Sequence, residues 1–195
     1  YSDLVINSKA VLQKCTDQWT LQETRHVPRL SRTTVCLDLR LLTMGKWMAF
    51  SYAIPRSPSY ELALQGDRDA VYAWLQGVQH RFPVRLAPER WHRLCLRIDS
   101  VRKRFSLSVN GSKVVHERMV VVKALRPSGS LQLGFHPWEV CPGSSMAAIE
   151  LHLFRVWGDA REHSDCEDGT IVGWDSNLWK TSRGQTWVQD NTLSC

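Results

Sequence analysis

Arg93-Leu94-Cys95-Leu96-Arg97-Ile98, then a polar connection, then Phe105-Ser106-Leu107-Ser108-Val109-Asn110-Gly111: these two runs carry the clearest signal in the chain. Apolar and polar residues alternate with a period of two in both, the pattern of a strand with one buried and one polar face. Asn110-Gly111 suits a two-residue hairpin turn, because both residues tolerate the positive φ that such a turn demands. Val114 and Val115 then open the return strand. The alternation extends in both directions. Upstream, Val35, Leu37 and Leu39 share one phase while Cys36, Asp38 and Arg40 share the other. Met48, Phe50 and Tyr52 repeat it, and Leu62 and Leu64 follow a turn containing Pro55, Ser57, Pro58 and Ser59. Phe82, Val84 and Leu86 alternate around Pro83, which marks an edge strand because proline donates nothing to a ladder. Downstream, Leu131, Leu133 and Phe135 follow Pro127-Ser128-Gly129, and Ile149, Leu151 and Leu153 make one strand more.

Strands with one apolar and one polar phase cannot bury both faces, so a helix-covered parallel sheet fits poorly. Two antiparallel sheets packed face to face are the natural solution, an all-β sandwich. The only helix candidates are 69–78 and 158–165, both short. A chain of 195 residues, 43% hydrophobic and 23% charged, suits one domain with a real core. The expectation is a single domain over 1–195, with a core over 1–158 and an extension over 159–195. In the extension alternation fades, and Gly169, Gly173, Trp174, Trp179, Gly184 and Trp187 suggest a strand or two with tryptophans laid against the body.

The six cysteines are Cys15, Cys36, Cys95, Cys141, Cys166 and Cys195. Their wide spacing lacks the close pairs of a zinc knuckle, and the even count suits three disulfides formed in an oxidising compartment. On spacing alone every pairing stays open. Cys36 and Cys95 each occupy the polar phase of a strand, so a bridge between them would join neighbouring strands rather than cross the core. The chain starts at Tyr1 with no signal peptide and no apolar run of about 18 residues. It is therefore expected to be a domain excised from a larger protein, one that does not itself enter the membrane.

Catalytic motifs are missing. There is no nucleophile elbow, and Cys141-Pro142-Gly143-Ser144-Ser145 is no substitute for one. There is no zinc-protease helix motif, phosphate loop or dinucleotide fingerprint. His26, His80, His92, His116, His136, His152 and His163 form no metal-spaced pair, and Glu150 lacks the second carboxylate that glycoside hydrolysis needs. No enzyme activity, metal or cofactor is expected. The net charge of +6 is concentrated between Arg81 and Arg104, where Arg97, Arg102, Lys103 and Arg104 form a candidate site for a polyanion such as a sulfated glycan. Nucleic acid is a poor fit, because zinc fingers, recognition helices and aromatic-interleaved RNA motifs are all lacking. Asn110-Gly111-Ser112 is an N-glycosylation sequon on a hairpin tip, a position that also explains Asn110 as a turn residue.

Five segments, in order, resemble the pentraxin family and its laminin-G-like relatives over about residues 30 to 158. They are Thr34-Val35-Cys36-Leu37; Phe50-Ser51-Tyr52-Ala53; Trp91-His92-Arg93-Leu94-Cys95 with the hairpin after it; Leu131-Gln132-Leu133-Gly134; and Val156-Trp157. The resemblance implies a jelly-roll of two antiparallel sheets, a Cys36–Cys95 disulfide, and recognition as the activity. The tail narrows it. Cys166, Gly169-Thr170-Ile171-Val172-Gly173-Trp174, Trp179 and Asn191-Thr192-Leu193-Ser194-Cys195 are similar to the pentraxin-like domains in adhesion G-protein-coupled receptor ectodomains. That likeness implies a Cys166–Cys195 clamp on the extension and leaves Cys15 with Cys141.

Two departures from soluble pentraxins stand out. Their long helix after the late Val-Trp strand is reduced to the short polar stretch 158–165. Their calcium ligands are unmatched: Arg56-Ser57-Pro58-Ser59 stands where the family has an Asp-Asn pair, and Phe135-His136-Pro137-Trp138 stands where it has Glu, Gln and Asp. The resemblance thus implies a calcium-independent recognition or adhesion module on the extracellular side of the plasma membrane, part of a larger receptor. Its partner would be an extracellular protein or a matrix component. The alternatives are a soluble pentraxin-type lectin, which would be a homo-oligomer, and a laminin-G-like matrix module binding sulfated glycans.

Overall fold

The computed structural model describes residues 5–118, 123–136, 146–182 and 184–195. Two seven-stranded sheets pack face to face. In spatial order the first sheet comprises β10 (Ser112–Arg118), β9 (Arg104–Val109), β8 (Trp91–Asp99), β3 (Arg32–Leu41), β12 (Ile149–Trp157), β1 (Ser8–Leu12) and β14 (Val188–Gln189). The second comprises β13 (Trp179–Thr181), β2 (Trp19–Leu21), β11 (Ser130–Leu133), β4 (Trp47–Ala53), β5 (Leu62–Gly66), β6 (Val71–Leu75) and β7 (Val78–Phe82). The pairings between these strands are all antiparallel. This is the two-sheet jelly-roll that the alternation demands. At the β9–β10 turn Asn110 and Gly111 take φ of 50° and 84°, and Asn110 Oδ1 accepts from the Arg93 backbone N–H at 2.9 Å.

Several boundaries differ from the sequence reading. Residues 69–78 form no helix. They hold β6, where Val71, Ala73 and Leu75 are buried and Tyr72 and Trp74 half-buried, a period of two disguised by helix-favouring Ala and Leu. The 158–165 stretch is likewise irregular, and among the described residues the helical content is one 3-10 turn, Ser176–Leu178, whose Asn177 N–H is capped by Asp175. No helix is long and apolar enough to cross a membrane among those residues. The strand expected over Phe82–Leu86 ends at Phe82, just before Pro83, although β7 does lie on the sheet edge. Phe135 leaves its expected phase because Gly134 (φ 87°) turns the chain, so Phe135 packs outside the second sheet with Met48, Ala53, Tyr60, Ala63 and Trp74.

Three strands bury both of their phases, against expectation: all seven residues of β4, all nine of β12, and Thr33 to Leu39 of β3. In β12 the cause is a bulge. The register slips between His152 and Arg155, Leu153 takes φ of 52°, and both Leu153 and Phe154 enter the core. Arg155 and Trp157 are thereby turned to the outer face, where the 159–195 segment covers them. That segment is built into the sandwich rather than laid upon it. It supplies a strand to each sheet, and Trp174 and Trp179 join the core beside Trp19 and Phe154.

Cys36 and Cys95 face each other directly across β3 and β8 and are bonded, with Cα atoms 4.2 Å apart. Closing the 59-residue separation is worth about 4 kcal/mol in the chain-entropy account. Cys166 is bonded to Cys195. Cys15 is disulfide-bonded; the partner expected for it, Cys141, lies outside the described residues.

Candidate recognition surface

The outer face of the first sheet begins with the polar phases of its central strands. Cross-strand register sets Asp38 opposite Arg93 and His152. Arg93 grips both oxygens of Asp38, from Nε at 2.8 Å and from an Nη at 3.1 Å. Nδ1 of His152 lies 3.0 Å from the same carboxylate, and its Nε2 lies 2.7 Å from the Ile6 carbonyl. Burial works against charge on Asp38, but the bonds to His152 and Arg93 outweigh it and hold the carboxyl below the usual carboxylate range. Such a fully partnered network tolerates low dielectric where a lone charge would not.

The bulge in β12 builds the first wall above this floor. Arg155 is 1% exposed, and one of its Nη groups donates to the Asp165 and Glu167 carbonyls at 2.8 and 2.7 Å. Trp157 donates to the Asp168 carbonyl at 2.8 Å, and its ring stacks on His163 with centroids 4.1 Å apart. His163 in turn sits between Asp159 and Glu167, at 2.6 and 2.9 Å. Arg93 reaches up from the floor to pair with Asp165. A second wall comes from the chain end. Lys9 joins Glu150 and Asp190, and Thr192 and Lys9 together push the Asp190 carboxyl down to about 2. The Cys166–Cys195 bond ties the two walls together.

These walls enclose an open concavity of about 640 Å³, whose lining includes Trp91, Arg97, Asn110, Glu162 and Thr192. Its half-buried Trp91 and Arg97 and exposed Asn110 can offer a ring face, a guanidinium and an amide to a polar ligand. His152 and His92 are both buried, and the Nε2 of His92 lies 2.8 Å from the Ala87 carbonyl. Among the described residues no group of three or more His, Cys, Asp or Glu could hold a metal ion.

The structure places Arg97 between this concavity and a neighbouring depression of about 250 Å³, which Arg102 and Arg104 also line. Lys103 sits apart on the hairpin tip, exposed, at φ 53°. Arg155 went unnoticed in the sequence, and nothing there joined Trp157 or His163 to a site. The Cys166-containing stretch around His163 gave no periodic signal, and only the bulge turns Arg155 outward.

No family model matches the chain. Human adhesion G-protein coupled receptor G4 is 31% identical over 182 residues, a match covering 87% of this chain. The chain spans only 6% of the length of that relative and of its mouse counterpart. Among solved structures, the heptameric SAP-like pentraxin of Limulus polyphemus superposes with a TM-score of 0.80 at 13% identity, covering 97% of this chain and 98% of that one. The full extracellular region of zebrafish Gpr126/Adgrg6 gives 0.79 at 16% identity, covering 98% of this chain and 27% of that one. The chain therefore has a pentraxin-like β-sandwich fold, shared with part of an adhesion G-protein-coupled receptor extracellular region, and resembles a segment of adhesion G-protein coupled receptor G4 in sequence.

Proposed function

We propose that the domain is a calcium-independent ligand-recognition module of an adhesion receptor, displayed on the outer side of the plasma membrane, and that it engages an extracellular protein or matrix component in the walled concavity. The concavity itself carries the reading: a fixed floor, two walls joined by a disulfide, and a lining that includes Trp91, Arg97 and Asn110. Recognition sites pair such rigid frames with a few convergent polar groups. Asn110 belongs to a glycosylation sequon at the rim, and a glycan there would decorate the mouth of the site.

Independence from calcium is supported by what surrounds the segment where pentraxins hold the ion. Glu61, the first acid after Ser59, is 2% exposed and fully engaged by Arg126, at 3.1 Å from Nε and 2.9 Å from an Nη. Arg29 and Lys123 stand around the same loop. A carboxylate held by guanidinium, among further cations, is a poor ligand for a divalent ion.

The test is a panel of matrix proteins and glycans probed with the multimerised domain in EDTA, wild type against Trp91→Ala with Arg97→Ala. Binding that survives EDTA and is lost in the double variant is the expected result. Binding that needs calcium, or is indifferent to both substitutions, would overturn the reading.

A further inference from the structure

A different surface emerges once the loops at one end of the sandwich are considered together. The 100–103 hairpin, the 54–61 and 76–77 turns, and the connections around residues 29 and 123–126 all open at this end. They are bonded to one another in sequence. Ser100 donates to the Ser31 carbonyl at 2.7 Å, Leu30 and Leu125 exchange backbone bonds, Gln76 donates to the Lys123 carbonyl at 2.6 Å, and Tyr52 donates to the Arg126 carbonyl at 2.5 Å. The end is thus one continuous surface.

Its charge is predominantly basic. Arg29, Arg56, Arg102, Lys103, Lys123 and Arg126 are all exposed. Two nearby carboxylates face inward: Glu61 is held by Arg126, and Asp99 pairs with Arg32 while accepting the Val101 and Arg102 N–H groups; exposed Glu162 lies beside Arg102 and Arg104 at the margin of this end. Among the described residues, none of Arg29, Arg56, Arg102, Lys103 and Lys123 has an ion-pair partner. The opposite end mixes signs, with Lys14 near Asp17, Arg68 between Asp67 and Asp69, and Arg90 beside Glu89. The basic end is also shaped. A depression of about 470 Å³ is lined by Arg29, Lys123, Arg126, the hydroxyl-bearing Ser57 and Ser59, and Gln76. Buried Glu61 fixes the Arg126 guanidinium at its edge, so this cation needs no further ordering when an anion arrives.

We propose that this end binds a sulfated glycosaminoglycan chain, with sulfate groups seated against Arg29, Lys123 and Arg126 and the chain continuing toward Arg102 and Lys103. Arginine forks and hydroxyl groups match sulfate and sugar oxygens. A recessed polar hollow suits a projecting sulfate better than a flat bilayer, and the exposed apolar residues at this end, Val78 and Val101, are two isolated valines, too little to anchor a membrane. The site uses none of the concavity's lining, so either can fail without the other.

The experiment measures binding of a size-defined heparin oligosaccharide to the 195-residue domain at about 0.15 M salt. Arg29→Ala with Lys123→Ala, which leaves the Glu61–Arg126 pair intact, should weaken binding about five-fold. Arg102→Ala with Lys103→Ala should do the same. Arg68→Ala with Arg90→Ala removes equal charge at the opposite end and should change affinity less than about two-fold. The proposal is overturned if wild type does not bind, if the opposite-end pair weakens binding as much as the others, or if desulfated heparin binds equally well. It is also overturned if the domain prefers phosphatidylserine vesicles to heparin.

Discussion

The outer face of the first sheet carries Asp38, Arg93, Glu150, His152 and Arg155, whereas that of the second carries Met48, Ala53, Ala63, Gln65 and Trp74. Both derive from the outward phase of alternating strands. The first is covered by the 159–195 segment through guanidinium–carbonyl bonds and through the Arg93–Asp165 and Lys9–Asp190 salt bridges. The second is closed mainly by small and aromatic side chains, among them Trp74, which donates to Gln65 at 2.7 Å. The difference shows that burial alone does not decide composition. A face to be covered by irregular backbone needs charged and polar partners for that backbone, and a face to be covered by side chains does not.

Substitutions can break this contrast. The largest effect is expected for Cys36→Ala with Cys95→Ala, which frees the 59-residue loop and should lower stability by about 4 kcal/mol in denaturant titrations. A loss under about 1 kcal/mol would mean that the first face does not depend on its crosslink. Next is Asp38→Asn, expected to cost about 2 kcal/mol at neutral pH by leaving Arg93 and His152 short of their acceptor. The folded-state pKa of Asp38 is depressed, so its contribution is complete above the unfolded value of about 3.9 and is lost as pH falls through the folded one. The gap between wild type and variant should therefore shrink when the titrations are repeated in strong acid; a gap that widens would contradict the assignment.

The second face should respond more weakly. Trp74→Phe removes a single neutral hydrogen bond and should cost about 1 kcal/mol, with no difference between neutral and acidic pH. The smallest effect is expected from calcium. Melting curves in EDTA and in excess calcium should agree within about 1 °C, which corresponds to a few tenths of a kcal/mol for a domain of this size. A clear rise with calcium would restore ion binding to this face.

Particular residues show where sequence reasoning reached and where it stopped. The Asn110-Gly111 hairpin and the alternation of 35–40 and 93–98 identify a sandwich because period and turn chemistry are local properties. The bulge at Leu153 was invisible, since Leu153-Phe154 is an ordinary apolar pair until two packed sheets force both residues inward. Burial of Glu150, His152 and Arg155 depends on chain from 159 onward, which no local window contains. The basic end was hidden for a similar reason: Arg102-Lys103-Arg104 is consecutive, while Arg29, Arg56, Lys123 and Arg126 meet it only through topology.

The rung at Cys36 and Cys95 also has a mechanical meaning. A pull that separates the ends of a chain can lengthen it only by residues outside its covalent loops. The bond withholds 59 residues, about 200 Å of fully extended chain. The Cys166–Cys195 bond withholds 29 more, about 100 Å. With the first in place, β4 to β7 stay inside a closed ring whatever the pull on the chain ends. Under load the domain should yield in short, bounded steps rather than unravel to its full length.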